Sequence, residues 1–336
     1  MNITMAHGSG GDATSKLIEE VFKTEFHNEY LDKMEDSSVV PGSSRLSMTT
    51  DSFVVQPLFY NGGDIGRLAV CGTVNDILMS GAVPKYLTAA CVLEEGLDVE
   101  VLKRIVHSMA ETAKEAGVSI VTGDTKVIEH RGDKDSESGI IINTAGVGFL
   151  DGDVNMGASY IKEGDVVIIS GNIGDHHAAI MKERLGIEND RIMSDNAPLN
   201  EMVRGLLDNG VRVHAMRDVT RGGLGTVLNE FAFASSNDIY IIEEKIPVSD
   251  SVRDFCSLLG LDLMYLGNEG KMVCFVDNED EEKAVDIIRN SKYGENAVAI
   301  GYVKKAAAIP CLVLKTSIGG ERVVGPLFGE GLPRIC

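Results

Sequence analysis

No apolar run in the 336-residue chain approaches the roughly 18 residues of a membrane span, so no membrane segment is expected. The opening residues, MNITMAHGSGG, lack the basic and apolar stretches of a signal peptide, which makes a cytoplasmic location the expectation. Basic side chains are outnumbered, 31 against 51 acidic, for a formal net charge of −20. Nucleic acid and anionic membranes would both be repelled, and neither is an expected partner. A phosphate ligand remains open, because backbone N–H groups and Mg²⁺ can hold one locally. The six cysteines (71, 91, 256, 274, 311 and 336) form no C-x-x-C, and no histidine pair has metal-ligand spacing. Disulfides are not expected in a reducing compartment, and most of these thiols read as small core hydrophobes. Cys336 stands apart as the last residue. There is no internal repeat and no low-complexity tract.

The length suits roughly two domains of about 150 residues, with no need for a disulfide or metal staple. Glycine is abundant, at 37 residues, so many backbone positions are expected to turn tightly or approach something closely. Helix and strand patterns alternate along the chain. Leu102, Ile105, Val106, Met109, Ala110 and Ala113 mark one face of a helix over 98–117, closed by Gly117. Further helices are expected over 175–185, 196–207, 225–234, 252–259 and 281–289. Buried strands are expected over 119–122, 140–142, 166–169, 239–242, 273–276 and 298–300. This is a mixed α/β chain. The turn-rich 151–163 segment is the best domain boundary. Residues 325–336, with three glycines and two prolines, read as a mobile tail ending in a thiol.

Three segments carry chemistry. His7-Gly8-Ser9-Gly10-Gly11-Asp12 precedes a helix-like stretch to Phe26, an arrangement that lets backbone N–H groups close on phosphate. No Gly-Lys-Ser/Thr follows, so it is not a Walker A loop. The second is a set of acidic residues placed at element ends: Asp51 after a strand, Asp76 beside Asn75 in the 69–80 stretch, Asp124 beside Thr125 and Lys126, and Asp218 before Arg221-Gly222-Gly223. Singly, each reads as a turn or cap residue; together they suit Mg²⁺ held against nucleotide phosphates. Lys126 reads either as a solvated turn lysine or as a polarising cation. Glu269, in Asn268-Glu269-Gly270-Lys271 ahead of an apolar strand, reads as a polar loop residue or a partly desolvated base. The third is Cys336, a nucleophilic thiol on a Gly/Pro arm that reaches up to roughly 40 Å.

These motifs occur in the order His7 to Gly11, Thr50-Asp51-Ser52, Gly72 to Asp76, Val121 to Val127, Asp218 to Gly223, Asn268 to Lys271 and Pro333-Arg334-Ile335-Cys336. In this the chain resembles, over its whole length, the hydrogenase maturation (expression/formation) family of the aminoimidazole ribonucleotide synthetase-related, PurM-like superfamily. The resemblance implies two α/β domains, 1–155 and 156–324, with an ATP cleft between them and a flexible tail over 325–336. The first domain would bind ATP and Mg²⁺ and pair with a second copy through a shared β-barrel. The implied activity is ATP-dependent dehydration of an S-carbamoyl group on Cys336 to S-cyanocysteine, for the cyanide ligands of nickel–iron hydrogenase. A HypF-type carbamoyltransferase would load Cys336, and a HypC–HypD complex would accept the cyano group. The implied roles are Cys336 as carrier, Glu269 as base and Lys126 as its partner or a polarising cation. Asp51, Asp76, Asp124 and Asp218 would be metal ligands. Gly8, Ser9, Gly10, Gly11, Asn75, Thr125, Arg221, Gly222 and Gly223 would bind nucleotide. Two rival readings are a superfamily kinase or synthetase for a free small molecule, and a non-catalytic thiol carrier.

Overall fold

The computed structural model describes residues 2–9, 11–34, 37–131, 139–150, 152 and 154–327. A helical stretch near the N-terminus comprises α1 (Asp12–Leu17), a π-helical segment (Ile18–Lys23) and α2 (Thr24–Phe26). The elements that follow are β1 (Leu46–Phe53), β2 (Phe59–Tyr60), β3 (Gly63–Asp64), α3 (Ile65–Met79), β4 (Val83–Glu94), α4 (Val99–Ala116), β5 (Ser119–Ile128) and β6 (Ile140–Phe149). The four-stranded sheet of this half runs β1-β6-β4-β5, antiparallel except for the parallel β4–β5 pair. Helix α4 presents Leu102, Ile105, Val106, Met109 and Ala113 to the core; Asp98 caps its start and Gly117, at φ 66°, closes it. Helix α3 lies between this sheet and α4. It is therefore buried almost all round and has no polar stripe for the sequence to reveal.

The second half contains β7 (Val166–Ile169), α5 (Asp175–Arg184), α6 (Asn200–Asp208), β8 (Val213–Asp218), α7 (Gly223–Ser235), β9 (Asn237–Ile242) and α8 (Asp250–Leu259). It ends with β10 (Met272–Val276), α9 (Glu281–Arg289), β11 (Val298–Lys305), β12 (Leu312–Lys315) and β13 (Glu321–Val324). Its sheet runs β13-β12-β9-β11-β7-β10-β8. Helix α7 packs on one face, with Leu224, Val227, Leu228 and Phe231 against Val167, Ile169 and Ile241. The opposite face joins a core shared with the first half, in which Ile168 and Cys274 meet Ala179, Met202, Val252 and Ile288. Covered on both faces, β7 is buried at every position.

Several expectations change. Thr49 to Ser52 do not follow a strand but lie inside β1. Asn75 and Asp76 lie within α3, not at an element end. Strand β5 does not stop at Thr122: its pairing with β4 continues to Ile128 and carries the turn-like letters Gly123 to Lys126. The helix expected from Asn196 begins at Asn200, past Pro198. Strand β4 has no counterpart among the expected elements.

The halves are joined through named groups. Asn61, in the β2–β3 hairpin, accepts from the Ser194 N–H and donates to the Asp190 and Ile192 carbonyls. Arg67 on α3 donates to the Asn196 carbonyl and pairs with Glu115 on α4 at 2.8 Å, and Glu115 also accepts from Lys292 and Tyr293. Past β13, the Gly325 carbonyl accepts from the Tyr265 hydroxyl at 2.8 Å. Among the described residues no helix is long and apolar enough to cross a membrane.

Candidate active site

The sequence candidates fall into two sets. The first gathers where β1, α3, the end of β8 and the 268–271 loop meet. Asp76 accepts from the Thr49 hydroxyl at 2.9 Å. Asp51 lies 3.9 Å from the exposed Arg221 guanidinium. Asp218 ends β8, where ligands gather in α/β folds. The chain then turns through Thr220 to Gly223 into α7. Gly222 and Gly223 have φ of 80° and 63°, and a Cβ on Gly223 would stand 2.6 Å from the Tyr265 carbonyl carbon. Only glycine fits there. Glu269 is buried, its N–H held by Asp195 and its carbonyl accepting from Ala197.

Electrostatically these carboxyls crowd one another. Burial, and then Asp76, push the Asp218 carboxyl up to about 7, with Arg217 opposing and Asp51 adding to the rise. Asp76 is raised by burial and Asp51 against the pull of the Thr49 hydroxyl. Glu269 rises well above the carboxylate range, first through burial and then through Asp218, Asp195 and Asp51, with Arg221 opposing. The site therefore favours a cation or a proton. Among the described residues, no three His, Cys, Asp or Glu side chains close tightly enough to hold a metal by themselves.

The second set lines a cavity of about 310 Å³ between the N-terminal helical stretch and β5. Its walls include Gly8, Phe22, Phe26, Asp124, Thr125 and Lys126. Gly8 packs against Val127 so closely that a Cβ would come within 2.8 Å of its backbone nitrogen. Ser9 turns its hydroxyl onto the Met5 carbonyl, and Gly11 caps α1. Lys126 pairs with Asp124 at 2.6 Å and lowers the Asp124 pKa; both side chains are exposed. Asp124 shares a cross-strand row with Ala90, Asn143 and Ser52, the neighbour of Asp51. Three strand spacings separate Asp124 from the first set, roughly 14 Å. One chain alone does not bring Asp124 and Lys126 to Asp51 and Glu269.

Asn75 differs from its expected role. It is buried, and its amide donates to the Ala197 carbonyl and accepts from the Leu199 N–H. It ties α3 to the second half and leaves no exposed end for a nucleotide. Gly10 and Cys336 lie outside the described residues. The sequence reading missed the support behind Glu269. Asp195 and Lys271 are buried 3.7 Å apart, and Asp175 is raised to about 7, by burial and then by Asp195. The only sequence signal was Lys271 inside an apolar context.

Two family models match, "AIR synthase related protein, N-terminal domain" over residues 34–150 and the corresponding C-terminal domain over 162–309. The carbamoyl dehydratase HypE of Azotobacter vinelandii is 44% identical over 341 residues, covering 100% of this chain and 97% of that protein. HypE of Escherichia coli K12 is 42% identical over 344 residues, covering 100% and 99%. The chain belongs to the HypE family. A solved structure of hydrogenase maturation protein HypE in complex with ATP superposes with a TM-score of 0.94 at 43% identity, covering 99% of each chain. The chain in a HypE–HypF complex aligns with a TM-score of 0.79 at 48% identity, covering 93% of this chain and 99% of that one. Thiamine monophosphate kinase of Aquifex aeolicus, at 19% identity and a TM-score of 0.62, shares the fold alone.

Proposed function

We propose that the chain converts an S-carbamoyl group on Cys336 to a thiocyanate at the expense of ATP, as a carbamoyl dehydratase of hydrogenase maturation. The observation that carries this is the crowded carboxyl group of Asp51, Asp76, Asp218 and Glu269 beside Arg221 and the Gly222–Gly223 turn. It joins a site for a polyphosphate with its cation to a carboxyl of raised basicity. The amide oxygen is a poor leaving group, so it first takes the γ-phosphoryl group of ATP, and ADP leaves. The C–O bond then breaks and phosphate departs with that oxygen. The nitrogen gives up both protons as C≡N forms. Glu269 suits that proton removal once a bound cation offsets its carboxyl neighbours and leaves it ionised, because its carboxylate then takes a proton more readily than an exposed one.

Mg²⁺ would spread phosphate charge, and the repulsion raising Asp76 and Asp218 is what a bound cation would relieve. Asp51, Asp76 and Asp218 would hold it. Asp124 and Lys126 would join from a second copy of the chain. The open β1 edge supports that homodimer: it carries Leu46 and Met48, the latter 71% exposed, and β5 is the other open edge. A monomer in sedimentation velocity at micromolar protein would overturn this part. A HypF-type carbamoyltransferase supplies the carbamoyl group and a HypC–HypD complex takes the cyano group, in the cytoplasm.

The test is the intact mass of the protein. Carbamoylation adds about 43 Da to the thiol, and ATP then removes about 18 Da as water. Cys336→Ala is expected to show neither change. Both changes persisting in that variant would refute the carrier assignment.

A further inference from the structure

Asp195 lies in the segment between α5 and α6, with its side chain only 3% exposed. Its Oδ1 accepts the Glu269 N–H at 3.1 Å and its Oδ2 accepts from the Asn268 amide at 2.9 Å. Lys271 Nζ stands 3.7 Å away. The backbones touch as well, since a Cβ on Gly270 would fall 1.9 Å from the Asp195 carbonyl oxygen. From the other sides, Asn268 is fixed by the Gly174 N–H, the Asn172 carbonyl and the Val219 carbonyl. The titratable groups around it are Lys271, Asp175, Glu269 and the buried His176, which burial keeps neutral.

A neutral amide, with one acceptor oxygen, could make only one of the two bonds to Asn268 and Glu269. A buried carboxylate is costly unless its charge has a use, and among the described residues Lys271 is the one cation paired with it. Here the charge sits behind the turn that carries Glu269. We infer that Asp195 is a positioning residue for the dehydration: its carboxylate grips the Asn268–Lys271 turn and thereby sets where the Glu269 carboxyl stands. Lys271 folds back on the same turn, its Nζ donating to the Gly270 carbonyl at 3.0 Å with Asp195 3.7 Å away. This rests on the reading of Glu269 as the base.

The experiment compares Asp195→Asn, Glu269→Gln and the double variant in the full chain, carbamoylated at Cys336. It follows water loss by mass spectrometry and ATP affinity by calorimetry. Asp195→Asn is expected to lower kcat roughly 10–100-fold while KM for ATP stays within about twofold. The double variant is expected to be no slower than Glu269→Gln alone, because Asp195 acts through Glu269. Wild-type turnover in Asp195→Asn, or losses that multiply in the double variant, would overturn the inference while leaving Glu269 as base. Wild-type turnover in Glu269→Gln would instead remove the base assignment and the inference with it. Should Asp195→Asn fail to fold, Asp195→Glu, which keeps the charge and shifts it by one methylene, is read by the same criteria.

Discussion

Asp218 holds a carboxyl where the fold would rather have an acid. Its folded pKa is raised from 3.8 to about 7. The ionised form is therefore disfavoured in the native state, with no penalty below about pH 3.8 and a growing one up to about 7. Asp218→Asn is accordingly expected to stabilise the nucleotide-free protein at pH 8 by roughly 1–3 kcal/mol, discounted because the group is half-buried. Urea titrations at pH 8 and pH 4 check this; a gain that does not shrink towards pH 4 would refute it. Asp51, Asp76 and Asp218 were grouped in the sequence as carboxylates at element ends, and they do meet, although Asp51 lies inside β1 and Asp76 inside α3. Asp195 was not among them. It sits among ordinary turn letters, and its importance comes from a contact with a loop more than seventy residues away. Asn75 shows the converse: beside an acidic residue it reads as a ligand, and its burial in α3 gives it bonds to Ala197 and Leu199 that the sequence does not reveal.

Helix α3 shows what periodicity conceals. The amphipathic α4 could be read from spacing, whereas α3 has apolar contacts on all sides and offers no stripe. Strand β5 was cut short because Gly123 to Lys126 imitate a turn, and pairing with β4 overrode that local preference. The close contact of α3 with α4 depends on Gly66, where a Cβ would come 2.4 Å from the Ile105 carbonyl oxygen. Backbone cannot yield as a side-chain tip can. Gly66→Ala is expected to destabilise the protein by about 1–3 kcal/mol, read as a lower denaturant midpoint at unchanged slope. An unchanged midpoint would show that the two helices can separate freely.

Across the whole molecule, the sequence offered 151–163 as a turn-rich boundary between strands, but no hint of how the halves join. Arg67, Glu115, Lys292 and Tyr293 come from distant parts of the chain. Burial opposes ionisation of Glu115, yet hydrogen bonds from Lys292, Tyr293 and Arg67 outweigh it and hold the carboxyl at about 2. A lowered folded pKa gives stability that is present above about 4.5 and lost as pH falls through about 2. Glu115→Gln is expected to cost roughly 1–3 kcal/mol at pH 7, leaving two cations facing each other, with the deficit closing as pH drops below 4.5. Thermal melts of both proteins across that range test it. A deficit independent of pH would mean that shape, not charge, holds the clasp.

The bond from Tyr265 to the Gly325 carbonyl fixes where the end of the second half lies. Tyr265 packs against Gly223 and Gly225, so Gly325 lies beside the turn that follows Asp218. Eleven residues on, Cys336 can lie no farther than roughly 40 Å from that point. A group carried there meets the site at an effective concentration on the order of millimolar, whatever the bulk concentration. In the proposed reaction, with Cys336 as carrier, the protein needs no affinity for a free carbamoyl compound. Its dehydration should run as a first-order process whose half-time does not change on dilution of the intact assembly.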